Sequence, residues 1–310
     1  MTKVFIDGSA GTTGLRIFER LETRDDIEWI RLPEALRKDT TARHDALNEA
    51  DIVFLCLPDA ASIEAVSMIE NDRTAVIDTS TAHRTADGWI YGFPEIGNRR
   101  ELIRSSKRIA NPGCHASGFV SLVAPLVQCG LLRADAKLSC FSLTGYSGGG
   151  KKMIAEYEDA DRDPLLQAPR MYGITQKHKH LPEMAKICGI ENDPIFCPIV
   201  APFYAGMEVT VPLFGTDLCG TADDVKEAYR SYYSTGLVRF CENADENGLL
   251  SACAFEGRDD MQITVCGNEE RILLVSRFDN LGKGASGSAI QNMNILLGVE
   301  KTKGLNTAWN

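Results

Sequence analysis

The chain has 310 residues, 33 Lys and Arg against 43 Asp and Glu, and a formal net charge of −10. That length allows two domains with cores of their own, since single cores stop growing at about 250–300 residues. The acidic balance argues against nucleic acid or an anionic membrane surface as partner, because both need concentrated basic charge, and no apolar run reaches the roughly 18 residues of a membrane span. Ten cysteines without paired C-x-x-C spacing predict no zinc site and no disulfide framework, so no metal is expected and a reducing, cytoplasmic setting fits.

Lys3-Val4-Phe5-Ile6-Asp7 reads as a short buried strand that runs into Gly8-Ser9-Ala10-Gly11-Thr12-Thr13-Gly14 and then a helical pattern at Leu15, Ile17, Phe18 and Leu21. Glycines at 8, 11 and 14 let the backbone turn tightly, helix-start N–H groups bind a pyrophosphate, and Thr12 and Thr13 add hydroxyl donors. An ordinary strand-to-helix turn shares this pattern, but its place directly after a buried strand near residue 8 favours a nucleotide. A second strand, Ile27–Arg31, ends where the ribose contact is expected. An acidic residue there would suit NAD; Arg31 suits the 2′-phosphate of NADP. Arg37 and Lys38 follow, either as further phosphate ligands or as a solvated basic loop.

Asp51–Pro58 and Thr74–Asp78 are two more buried-strand runs, separated by a helix-like segment at 60–69. Buried strands alternating with helices predict a Rossmann-like, doubly wound parallel sheet. Ligands meet such sheets at the carboxyl ends of the strands, which places Leu57 and Ser80 beside the cofactor. Arg84, in the same crest, either holds a substrate phosphate or carboxylate or lies in a surface ion pair. Arg108–Ala110 is a last short strand before Asn111-Pro112-Gly113-Cys114-His115-Ala116.

Pro112 and Gly113 break any regular element, and Ser117–Leu126 has helical length and spacing, so Cys114 should open a helix. Unpaired N–H groups and the positive end of the helix dipole favour thiolate over thiol there. The local sequence leaves a helix-start cysteine without chemistry equally open. Cys56, Cys140, Cys188, Cys197, Cys219, Cys253 and Cys266 read as small buried hydrophobes, and Cys129 and Cys241 as loop or element-end residues.

From residue 136 longer and alternating strands predict an α+β domain with a mixed or antiparallel sheet, packed by helices near 182–188 and 221–233. The expected division is a nucleotide-binding domain over 1–113, completed by a C-terminal helix over 284–310, and a catalytic and oligomerisation domain over 114–283. Tyr146–Lys152 reads as a flexible, anion-friendly loop with Ser147 as a substrate ligand, or as a plain connection. His178 and His180, two residues apart, are expected in an extended approach to the helix that Pro182 helps to start. Either histidine can take the proton of the thiol at neutral pH; without Cys114 the pair would read as solvated. His115 is expected on a different helix face. In the closing run Asp279–Asn294 a glycine loop precedes a small-residue helix, which places Asn280, Gly282 and Lys283 near the nicotinamide.

Gly8–Gly14, Asn111-Pro112-Gly113-Cys114, His178-Lys179-His180-Leu181-Pro182-Glu183 and Asp279–Asn294 together resemble the N-acetyl-gamma-glutamyl-phosphate reductase family, in its shorter form, over essentially the whole chain. The family more usually has His-Arg-His-Thr-Pro-Glu at the histidine motif, so Lys179 and Leu181 depart from it. The resemblance implies NADPH-dependent reduction of an acyl phosphate in arginine biosynthesis, with Cys114 as nucleophile, His180 as acid-base residue and His178 orienting substrate. The sheet-rich second half, for its part, points to a homodimer or homotetramer. Two other readings stand beside the resemblance: a related reductase acting on aspartyl phosphate or a carrier-bound aminoadipyl group, and a nucleotide-binding regulator that keeps the fold without chemistry.

Overall fold

The computed structural model describes residues 1–308, which divide into two compact units. The first begins with β1 (Thr2–Asp7), α1 (Thr12–Leu21), β2 (Ile27–Ile30), α2 (Thr40–Glu49), β3 (Ile52–Leu55) and α3 (Asp59–Ser67). It continues with β4 (Ala75–Asp78), β5 (Ile90–Tyr91), α4 (Arg99–Ser105) and β6 (Arg108–Ala110). The six strands are all parallel, in the order β2-β1-β3-β4-β6-β5. β3 and β4 are buried along their whole length, and for that reason their sequences are continuous apolar runs rather than alternating ones. The chain first adds β2 on one side of β1 and then β3 on the other. The carboxyl ends of β1 and β3 therefore flank the crevice at which such sheets take ligands.

The second unit takes Gly113–Gly284, the short excursion Glu95–Gly97 and the described residues from Asn306 on. Its elements are α5 (Cys114–Gln128), β7 (Ser139–Gly145), α6 (Gly150–Glu158), β8 (Arg170–Met171), α7 (Leu181–Cys188), β9 (Ile195–Ala201) and β10 (Met207–Phe214). α8 (Ala222–Tyr232), β11 (Val238–Phe240), β12 (Met261–Gly267) and β13 (Arg271–Phe278) complete it. The seven strands form one mixed sheet in the order β11-β12-β13-β10-β7-β9-β8. The β7–β9 and β11–β12 pairs are parallel and the others antiparallel. α5 is buried from His115 to Leu126 and packs on β10 and β13. A methyl group on Gly118 would lie 2.3 Å from Cγ2 of Val209, so glycine is what lets the helix come this close. The opposite face of the sheet carries exposed apolar side chains, with Phe141 at 45%, Ile195 at 61% and Leu273 at 40% exposure.

The chain then passes through a π turn, Gly282–Ser286, into α9 (Gly287–Leu297), which belongs to the first unit. Ala289, Ile290, Met293 and Ile295 of α9 share one core with Val4, Ile17, Phe54 and Ile77. The helix expected over 284–310 is thus only 11 residues long, and Gly298 ends it in the left-handed conformation at φ 67°. Residues 309 and 310 of that expectation lie outside the described residues. The expected flexible loop at Tyr146–Lys152 is a 3₁₀ turn over Tyr146–Gly149 that leads into α6, with Gly150 at φ 71° making the break. Cys219, expected buried, is exposed, because it follows the short turn after β10 rather than lying within a strand.

Candidate active site

The crevice of the first unit is built by backbone packing. Gly8 has φ 87°, and a methyl there would lie 2.3 Å from the carbonyl oxygen of Cys56, just past β3. A methyl on Gly14 would lie 2.6 Å from the carbonyl oxygen of Gly8, so the start of α1 rests directly on the turn. Gly11 is the N-cap of α1, and no side chain among the described residues caps that helix. The first-turn N–H groups of Thr12 and Thr13 are thereby left to an anion. A cavity of about 610 Å³ opens beside the turn, lined by Gly8, Ser9 and Ala10, by Leu57 after β3, and by Arg31, Arg37, Lys38 and Arg43. The Arg31 guanidinium lies over the Phe18 ring, 4.5 Å from its centroid, which holds an exposed charge at the cavity wall.

Asp7 also lines this cavity, and an unpaired carboxylate would repel a phosphate. It is instead buried and paired with Arg43, Nη2 to Oδ2 at 2.9 Å. Burial raises its pKa, while the hydrogen bond and charge of Arg43 pull it down. Sequence reasoning missed Arg43, which sits mid-helix in α2 with only its charge as a signal. Ser80 is not part of the lining: its hydroxyl donates to Asp78 Oδ2 at 2.7 Å and its N–H to Oδ1 at 2.9 Å. Arg84 is buried, donating from Nε to the Asn111 carbonyl and from Nη2 to the Thr79 carbonyl, both at 3.0 Å. Those bonds make it a brace between the ends of β4 and β6 rather than a surface ion pair.

In the second unit Cys114 is the first residue of α5, partly exposed, with the extended Gly113 as its N-cap. The Gly113 N–H donates to Oε1 of the buried Glu183 at 2.8 Å, which ties the start of α5 to α7. A methyl on Gly284 would lie 2.9 Å from Cβ of Cys114, so glycine keeps that flank of the thiol clear. His180 is the N-cap of α7 with helical angles (φ −84°, ψ −13°), not the extended conformation expected for both histidines. Its N–H donates to Nδ1 of His178 at 3.2 Å, so the His178 ring carries its proton on Nε2. Burial, and then the neighbouring Lys179 charge, lower the His178 pKa and keep that ring neutral near pH 7.

The rings of His178 and His180 are 4.8 Å apart, and His115 lies 5.9 Å and 5.5 Å from them. His115 therefore joins the same cluster instead of facing away from it. Its Nδ1 is 2.6 Å from Ser142 Oγ and its Nε2 is 2.6 Å from the Tyr172 hydroxyl. Burial, with some help from His178, drives its pKa down to about 3, so it carries no proton between groups near neutral pH. Burial and the proximity of Cys114 push the Tyr172 phenol upward, so it stays protonated. Ser142 and Tyr172 carried no sequence signal; Glu183 closes the histidine motif and could have been weighed.

Ser147 and Asn280 brace one another: Asn280 Nδ2 donates to Ser147 Oγ at 3.0 Å while its Oδ1 accepts from the Gly206 N–H at 2.9 Å. A methyl on Gly282 would lie 1.9 Å from the Arg258 carbonyl oxygen. Lys283 is fully buried, with Nζ 2.9 Å and 2.8 Å from the two carboxylate oxygens of Glu95. Expected near the nicotinamide, these three residues carry internal packing and a buried ion pair.

Residues 114–280 match the family described as semialdehyde dehydrogenase, dimerisation domain, and residues 33–105 match its NAD binding domain. The chain belongs to the semialdehyde dehydrogenase family. Within that family it is 45% identical over 307 residues to N-acetyl-gamma-glutamyl-phosphate reductase of Brucella ovis, covering 96% of this chain and 99% of that one. It is 40% identical over 318 residues to N-acetyl-gamma-glutamyl-phosphate reductase 2 of a Nostoc species, covering 98% and 99%. Aspartate semialdehyde dehydrogenase II of Vibrio cholerae shares the fold at a TM-score of 0.71 with 16% identity, over 96% of this chain and 98% of that one. The semialdehyde dehydrogenase NAD binding match begins at residue 33, after the glycine turn, so the reading of Gly8 to Gly14 rests on the crevice geometry itself.

Proposed function

We propose that the protein reduces N-acetyl-L-glutamyl 5-phosphate with NADPH, giving N-acetyl-L-glutamate 5-semialdehyde and phosphate, as a cytoplasmic step of arginine biosynthesis. The observation that carries this reading is the near-full-length similarity to reductases of that name, joined to a helix-start thiol and a histidine pair whose rings lie 5.9 Å and 5.5 Å from that of His115, the next residue along α5. The crevice fits NADP: the close-packed Gly8 and Gly14 leave room for a pyrophosphate at the start of α1, and Arg31, Arg37 and Lys38 offer positive charge to a 2′-phosphate. When bound, NADPH supplies the hydride that reduces an acyl group to an aldehyde.

Cys114 is the nucleophile. Its thiolate, favoured by the α5 dipole, attacks the acyl carbon, and the C–O bond to phosphate breaks, leaving a thioester. His180 takes the thiol proton beforehand and returns it to the leaving phosphate. After reduction, the thiohemiacetal oxygen carries negative charge, which the N–H groups at the start of α5 offset until the C–S bond breaks and the thiolate is restored. His178, neutral and with its proton on Nε2, serves as a donor that orients substrate. A second copy of the chain covers the exposed Phe141, Ile195 and Leu273 face of the second-unit sheet, giving a homodimer or a homotetramer built from such dimers.

Phosphate-dependent reduction of NADP⁺ with N-acetylglutamate semialdehyde tests the reaction in reverse. Activity confined to aspartate semialdehyde would move the protein to the related branch, and inertness toward both would leave only a nucleotide-binding role. Incubation with acyl phosphate and no NADPH should leave an acyl adduct on Cys114, visible by mass spectrometry and missing from Cys114→Ser. His180→Asn should lower kcat by about 10²- to 10⁴-fold, the range for a positioned acid or base. The same loss from His178→Asn, with His180→Asn near normal, would exchange the two roles.

A further inference from the structure

Asp7 is the last residue of β1, only 4% exposed, and stands directly before the Gly8 turn. An acid is out of place beside a bound phosphate. Its Oδ2 accepts two hydrogen bonds from Arg43, from Nε at 3.1 Å and from Nη2 at 2.9 Å. Arg43 reaches it from the middle of α2 and is itself 9% exposed. The remaining guanidinium nitrogen, Nη1, lies 3.4 Å from Oε2 of Glu64 on α3, whose side chain is largely exposed. Asp7 and Arg43 both line the cavity that opens beside the turn. A pair that served only to tie α2 to β1 could lie anywhere along the strand; this one lies in the crevice wall, one residue from the glycine turn.

We propose that Arg43 is a positioning residue for the cofactor's pyrophosphate: it cancels the charge of Asp7, so that the wall beside the Gly8 turn accepts an anion. This inference rests on the crevice being a nucleotide site. Arg31 directly follows the neighbouring strand β2, where the ribose is met, so its charge separates NADP from NAD. Asp7 precedes the turn that both cofactors share, so its pair with Arg43 governs the two alike. Without Arg43, a buried carboxylate faces the phosphates, with only Glu64, of the same sign, beside it. Burial already raises the Asp7 pKa against the pull of Arg43, and loss of Arg43 raises it further. The repulsion is therefore complete above that raised pKa and vanishes as the pH falls through it. The other charged or titratable groups around Asp7 are Glu64, the cavity-lining Arg31, Arg37 and Lys38, and Cys56 just past β3, whose thiol burial pushes up to about 12. His44, next along α2, pairs with Asp45 and Glu70. All of these stay unchanged in every variant below.

Calorimetric titration with NADP and with NAD over a range of pH reads the effect, and urea midpoints establish that each variant is folded. Arg43→Met should weaken both cofactors by about tenfold at about pH 8.5, the scale of one like charge acting through a protein wall. The loss should shrink as the pH falls toward about 6, where an unpartnered buried carboxylate takes up its proton. Asp7→Asn/Arg43→Met should recover most of the affinity at every pH. Because NADP brings the same 2′-phosphate titration to both variants, the difference between them isolates Asp7. Asp7→Asn alone should bind both cofactors more tightly than the wild type, since the Arg43 charge is then uncompensated. If Arg43→Met fails to fold, Asp7→Asn decides the matter, and weaker binding of both cofactors overturns the proposal. A loss confined to NADP also overturns it, as does a pH-independent loss that Asp7→Asn does not relieve. A wild-type protein that binds neither cofactor removes the nucleotide site and this inference with it, whereas one that binds NADP but is inert toward the acyl phosphate sinks only the proposed reaction.

Discussion

Arg31 contributes an exposed guanidinium to the cavity wall, steadied over the Phe18 ring. A hydrogen bond to a charged group contributes about 1.5–3 kcal/mol, so Arg31→Ala should weaken NADP binding by about 10- to 100-fold. NAD, which lacks the 2′-phosphate, should lose less than about threefold. Titrating both cofactors by the change in their fluorescence or absorbance would measure this, and equal losses would remove Arg31 from the role. Arg31 and Cys114 could be read from the sequence because each sits at a local break, a strand end or a Pro-Gly turn. His115 could not, since its meaning depends on Ser142 and Tyr172, 27 and 57 residues away. The partners of Lys283 and Asn280 were hidden for the same reason: Glu95 and Ser147 lie 188 and 133 residues distant.

At the scale of the element, the strand–turn–helix at β1 and α1 makes a quantitative claim about its glycines. Replacing a helical glycine by alanine gains about 0.8–1.0 kcal/mol of intrinsic propensity. At Gly14 the new methyl would lie 2.6 Å from the Gly8 carbonyl oxygen, and overpacking against backbone costs about 1–3 kcal/mol. Gly14→Ala should therefore be destabilising on balance and should displace the turn, raising the KM for NADP. Gly11→Ala, at 3.3 Å from the same oxygen and without a positive φ, should be milder on both counts. Urea midpoints and NADP titrations of the two variants compare them directly, and equal effects would refute the packing argument. The buried strands β3, β4 and β13 were visible as apolar runs because both of their faces, or most of them, are covered. β5 and β8, two residues each, and α6, which begins at a glycine with positive φ, had no periodicity to reveal them.

For the whole molecule, the second-unit sheet has one face sealed by α5 and the other bearing Phe141, Ile195 and Leu273 in the open. Apolar residues on an unsealed sheet face mark association. Phe141→Glu combined with Leu273→Glu should lower the mass in analytical ultracentrifugation toward that of a single chain, while leaving NADP binding to the first unit unchanged. An unaltered mass would place the interface elsewhere. The discontinuity of the first unit bears on how the protein is made. Its core includes Ala289, Ile290, Met293 and Ile295, which follow the whole of Gly113–Gly284 in the chain. At about 5–20 residues per second, the ribosome needs roughly 9–35 s to pass from the end of β6 to α9. Throughout that interval the nascent parallel sheet lacks the helix that completes its core, and because the last strand of the mixed sheet ends at Phe278, before α9 begins at Gly287, the mixed sheet is the first of the two able to close.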